Sequence, residues 1–149
     1  MRSLSQTVMI LLTCSFLATA QAPLPYRLLS QRTPDSADRI KEYDFNVAVD
    51  KYLEVAEVRN VICSLIRDTK PRAYDVLSVG IYYRLERYTL QSDELADASS
   101  ELRQRRLAQY HWSKDSPNDS RRLAVMRDGK GQALPEWRFN NFDHARSCR

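Results

Sequence analysis

The sequence predicts an α+β domain, an antiparallel sheet packed on one main helix, with a helical excursion before the last two strands. Three observations carry that prediction. From Leu77 to Leu85 apolar and polar residues alternate: Leu77, Val79, Ile81, Tyr83 and Leu85 point one way, and Ser78, Gly80, Tyr82, Arg84 and Glu86 the other. Earlier, Phe45, Val49, Tyr52, Leu53 and Ala56 recur with the spacing of one helical face, opposite Asp44, Asp50, Lys51, Glu54 and Glu57. Near the end, Asp128-Gly129-Lys130-Gly131 separates two short apolar runs, as a turn separates paired strands.

The elements follow in chain order. Residues 1–22 open with Arg2, continue through an apolar run from Val8 to Ala18, and end on Ala20-Gln21-Ala22. That is the pattern of a secretory signal peptide, and the run falls short of the roughly 20 apolar residues a spanning helix needs. Residues 23–38 hold three prolines and little periodicity, which predicts a flexible N-terminal arm. The remaining stretch, 39–149, is sized for one domain. Within it the main helix is placed around Phe45 to Ala56, although Tyr43, Phe45, Val47 and Val49 also alternate as a strand would. Arg59 to Arg67 is short, apolar and β-branched, which suits a buried strand ended by Pro71. After the alternating strand, Ser92-Asp93-Glu94 supplies a helix start, and Arg103, Arg105 and Arg106 supply its basic end. Residues 111–120 form a polar loop. Arg121 to Met126 and Ala133 to Phe139 are the last two strands, with Pro135 marking the second as an edge strand or as bulged there.

Composition narrows the function. The formal net charge is +4, with both signs interleaved along the chain. No clustered basic face is evident, so a nucleic-acid partner is not expected, nor is a membrane. Cys14 leaves with the signal peptide, so Cys63 and Cys148 remain as an even pair in an oxidising compartment. An intramolecular disulfide closing a loop of about 85 residues is the simplest accounting, beside two free thiols or a bond to another chain. No metal-ligand spacing joins His111, His144 or the cysteines, and no cofactor motif occurs.

Other residues carry weaker chemistry. Asn118-Asp119-Ser120 fits the N-glycosylation pattern. Arg103-Gln104-Arg105-Arg106 has the arginine pattern of a processing-protease site, and equally that of a helix end favoured by the dipole. His144 with a carboxylate such as Glu136 could do acid–base work in a ribonuclease-like enzyme, or simply face solvent on a C-terminal segment.

Three segments are similar to the cystatin family, secreted inhibitors of papain-like cysteine proteases. Asn46-Val47-Ala48-Val49-Asp50-Lys51-Tyr52 resembles the family's helix signature. Val76 to Leu85 resembles the strand after its QxVxG hairpin, and Leu134-Pro135-Glu136-Trp137 through Cys148 resembles its Pro-Trp hairpin and terminal cysteine. The resemblance implies a cystatin-like fold and a protein partner, a papain-like cysteine protease, met by Val76, Ser78, Gly80, Pro135 and Trp137. The wedge is changed here: no glycine precedes Gly80, Val76 to Gly80 keeps only the glycine of QxVxG, and Glu136 separates Pro135 from Trp137. The expected function is a secreted, extracellular protein-binding module with a degenerate or lost inhibitory wedge, and no enzyme. The second reading is a secreted ribonuclease-like protein or pathogen effector. From a bacterial source, a periplasmic binding or immunity protein is the third.

Overall fold

The computed structural model describes residues 26–86, 102–115 and 121–148. The expected signal peptide, Asn118 and the expected helix start at Ser92-Asp93-Glu94 lie outside them. The elements are β1 (Arg27–Arg32), β2 (Glu42–Val49), α1 (Val55–Thr69), β3 (Val76–Tyr83), β4 (Arg106–Ser113), β5 (Arg122–Arg127), β6 (Ala133–Asn141) and α2 (His144–Ser147). A helical turn at 102–105 precedes β4. The strands form one sheet in the order β1-β2-β3-β4-β5-β6.

The α+β class agrees with the sequence, but the sheet is mixed, which corrects the antiparallel expectation. β2 and β3 run parallel, in register from Glu42↔Val76 to Val49↔Tyr83, and the other neighbouring pairs are antiparallel. A parallel neighbour needs a crossover long enough to return the chain to its starting end, and the 15 residues of α1 supply it.

Two local assignments exchange places. The segment from Phe45 to Val49, expected in the main helix, is strand β2. Arg59 to Arg67, expected as a strand, lies inside α1. The alternation of Tyr43, Phe45, Val47 and Val49 won over the helical spacing because all four side chains enter the core. In α1 the buried residues are Val58, Val61, Ile62 and Leu65, an i, i+3, i+4, i+7 stripe. The helix starts where the Glu57 carboxylate accepts the Glu54 backbone N–H at 3.0 Å. It stops where Lys70 turns left-handed (φ 44°) and donates its N–H to the Ile66 carbonyl at 2.9 Å, one residue before Pro71.

The N-terminal arm is also corrected in part. Residues 27–32 of the expected flexible stretch form β1, pairing with β2 and slipping register between Leu28 and Ser30. The expected polar loop at 111–120 is corrected at its start, where residues 111–113 belong to β4. The final hairpin stands as read, with β5 and β6 antiparallel, and among the described residues β6 is last in the sheet.

One core joins these elements. Phe45, Val47 and Val49 of β2, Leu77, Val79 and Ile81 of β3, Tyr110 and Trp112 of β4, and Leu123 and Val125 of β5 pack with the α1 stripe. Cys63 of α1 is bonded to Cys148, with Cα atoms 5.0 Å apart, so the end of the chain is fastened to the middle of the helix.

Candidate functional site

The residues expected to meet a protein partner divide between two distant strands. Val76, Ser78 and Gly80 lie in β3, an interior strand, so they form no hairpin tip; this corrects the wedge-loop placement. Gly80 is buried, and a Cβ there would stand 2.6 Å from Asn46 Oδ1, 2.8 Å from Tyr82 Cε2 and 3.0 Å from Tyr82 Oη. Its missing side chain admits Asn46 and Tyr82, not a ligand. Gly80→Ala should therefore destabilise the fold by about 1–3 kcal/mol through overpacking. Urea unfolding measures this, and an unchanged midpoint would show that Asn46 and Tyr82 yield without cost.

Pro135 and Trp137 lie in β6. The pairing there jumps from Val125↔Arg138 to Arg127↔Ala133, so Leu134, Pro135, Glu136 and Trp137 together oppose only Met126. Four residues against one make a wide bulge, and bulges at sheet edges re-aim side chains out of the ladder. Pro135 supplies no N–H to a ladder in any case, so the pairing loses little at that point. Pro135, Glu136 and Arg138 are exposed. Beside the bulge, the Phe139 ring is 60% exposed, with the Arg122 guanidinium 5.9 Å from its centroid. The sequence signal for Phe139 is its place two residues after Trp137 in the same strand.

A polar row crosses the sheet through successive registers: Arg32, Asp44, Ser78, His111, Arg122 and Asn141. Within it Ser78 Oγ and His111 Nδ1 are 3.2 Å apart. Burial, then the neighbouring Glu42 charge, push the Asp44 carboxyl above its ordinary value, and Arg32 partly opposes them. Acyl transfer needs the order carboxylate, imidazole, hydroxyl; here Asp44 adjoins the serine, so the row is not a triad.

His144 is inside the protein, only 3% exposed, which corrects the solvent-facing expectation. Its Nε2 is 2.6 Å from Tyr74 Oη and its Nδ1 2.9 Å from Tyr110 Oη. The Trp112 ring stands edge-on to it, with centroids 5.1 Å apart. Burial lowers its pKa to about 4; the adjacent Asp143 charge opposes this and Arg121 reinforces it. Glu136, the carboxylate considered as its partner, is exposed on the bulge. Tyr74, Tyr110 and His144 are too far apart in sequence for any local pattern to have joined them.

The arginine quartet is built into the fold. Arg106 opens β4, its Nη2 donates to Tyr82 Oη at 3.3 Å, and Leu107 is 3% exposed. A processing protease needs an extended, accessible chain on both sides of the cut, and β4 is held between β3 and β5. The helix-end reading fits Arg103 and Arg105 in the turn at 102–105.

A cleft of about 560 Å³ lies between the start of β1 and α1. Ala48, Val49, Leu53 and Val61 line it together with Tyr26, Lys51 and Asn60. Among the described residues, no three His, Cys, Asp or Glu side chains could hold a metal ion together, and no helix is long and apolar enough to cross a membrane. No protein-family model, curated protein or solved structure matches the chain.

Proposed function

We propose that this chain is a secreted protein-binding module that engages another protein through the bulged edge strand β6. The observation that carries the reading is the four-residue bulge Leu134–Trp137 at the sheet edge, next to the exposed Phe139 ring. An edge strand offers backbone groups to a partner, and a bulge beside an exposed aromatic adds the shape that makes such contact selective. The Cys63–Cys148 bond supports an oxidising compartment, as the N-terminal sequence does. Rigidity from the sheet and that bond reduces the ordering cost of association. The contact is narrower than a three-part cystatin wedge, since Gly80 is internal and the N-terminal segment lies in β1 at the opposite edge of the sheet. A papain-like cysteine protease is the partner class that the sequence resemblance favours. The ribonuclease-like reading gains no support from His144, whose ring is enclosed by tyrosines.

A photo-crosslinking amino acid placed at Glu136, and in a control at Ser64 on α1, tests the surface in the producing cell. The expected result is a discrete protein adduct from position 136 that is absent from position 64. Phe139→Ala should then weaken affinity for that protein by at least about tenfold, the loss typical of an aromatic anchor. Identical adducts at both positions, or none at 136, would overturn the proposal. Titrating papain with the folded protein asks separately whether the partner belongs to that class.

A further inference from the structure

We infer that the C-terminal turn α2 is an acid-released latch, closed while the neutral His144 ring bridges Tyr74 and Tyr110, and tethered by Cys63–Cys148 when it opens. The hydrogen-bond inventory allows one satisfied arrangement. Tyr110 Oη donates to the Phe142 carbonyl at 3.0 Å and accepts the His144 backbone N–H at 3.3 Å. Its single proton is then used, so His144 Nδ1 donates to it, and Nε2 must accept from the Tyr74 hydroxyl. A second proton on the ring would force the Tyr74 hydroxyl to turn its proton away and accept instead, and would place a full charge in a site lined by aromatic rings.

The groups facing the ring give that proton little help. β4 presents Tyr110 and Trp112, and the segment before β3 presents Tyr74. On the ring's own segment the Asp143 carboxylate is engaged by Arg121 Nη1 at 2.7 Å and Arg146 Nε at 3.4 Å. From α1, Arg59 lies over the Phe142 ring, 5.5 Å from its centroid, a further positive charge. Asp143 favours the proton more than Arg121 opposes it, so burial among the rings is what keeps the ring neutral.

Within α2 His144 is the one buried residue, and release of 142–148 uncovers beyond it chiefly Phe142 and the faces of Tyr110 and Trp112, so it costs less than unfolding the sheet. The sign follows from a folded-state pKa of about 4, below the ordinary 6.5. The closed form keeps its full advantage above pH 6.5, loses it as pH falls toward 4, and changes no further below that. Because β6 runs directly into this turn, opening would free the C-terminal end of the strand that carries the proposed contact. That consequence alone rests on the binding reading.

Hydrogen exchange and histidine ring NMR on the disulfide-intact protein, with no partner present, test the latch between pH 3.5 and 7.5. One linked proton makes opening of residues 142–148 rise about tenfold per pH unit between roughly pH 6 and 4.5, after correction for intrinsic exchange. Amides of β3 should keep their protection throughout, and the His144 ring should titrate near pH 4. Tyr74→Phe removes the donor to Nε2 and should move that midpoint upward. Flat protection of 142–148, parallel loss in β3, a ring titrating near 6.5, or an unmoved midpoint in Tyr74→Phe would each overturn it. Loss of crosslinking at position 136 with these results intact would remove the binding reading and leave the latch.

Discussion

Replacing Cys63 and Cys148 together by alanine should lower unfolding stability by about 4–5 kcal/mol, the closure entropy expected for so long a loop. The bond links residues 85 positions apart, from the third turn of α1 to the end of the chain. In the folded protein both sulfurs sit against the core. Without the bond, the unfolded chain regains the freedom to separate its middle from its tail, and that gain is the main cost to stability. Against a typical total of roughly 5–15 kcal/mol, the loss leaves a marginal fold. With ordinary urea sensitivities, the midpoint should fall by about 2–3 M. A shift smaller than about 0.5 M would mean that the unfolded chain is already compact enough to keep these segments close. The His144 bridge should persist in the variant, because its partners Tyr74 and Tyr110 do not depend on the sulfurs.

The legible parts of the fold were those with one dominant period. β3 alternates in sequence although Gly80 and Tyr82 on its other face are also buried, and it ends at Tyr83 short of Leu85; the β5–β6 hairpin is marked by a glycine-containing turn. In β2, Asn46 and Ala48 are buried as well as Phe45, Val47 and Val49. Burial on both faces weakens alternation, and Tyr52, Leu53 and Ala56 beyond the strand completed a helical spacing by coincidence. In α1 the stripe begins at Val58, one residue before the apolar run that was read as a strand. Without Val58, the remaining Val61, Ile62 and Leu65 do not separate helix from strand. The parallel pairing of β2 and β3 depended on that same helix and was missed with it. The cysteine pair needed only a count and a compartment, and it was read correctly. At the candidate surface, Pro135 points to an edge or a bulge because proline lacks a ladder donor. The size of the bulge depends on how β5 and β6 register, which no local pattern encodes.

The helix itself has a direct test in two substitutions, two residues apart. Ile62→Ala should cost about 3–4 kcal/mol, because the side chain is fully buried in the core and its removal leaves a cavity. Asn60→Ala should change stability by less than about 0.5 kcal/mol, since Asn60 is exposed and alanine has the higher helix propensity. The pair separates the two local structures because positions i and i+2 share a face in a strand but diverge on a helix. In a strand with one buried face, Asn60 would enter the core beside Ile62, and its hydrogen-bonding groups would need partners there. Truncating it would then shift stability strongly in one direction or the other. Two large and comparable effects would contradict α1, and with it the crossover that makes β2 and β3 parallel. A large effect at Ile62 beside a negligible one at Asn60 fits only the helix, whose buried stripe reaches the sheet through Val58, Val61, Ile62 and Leu65.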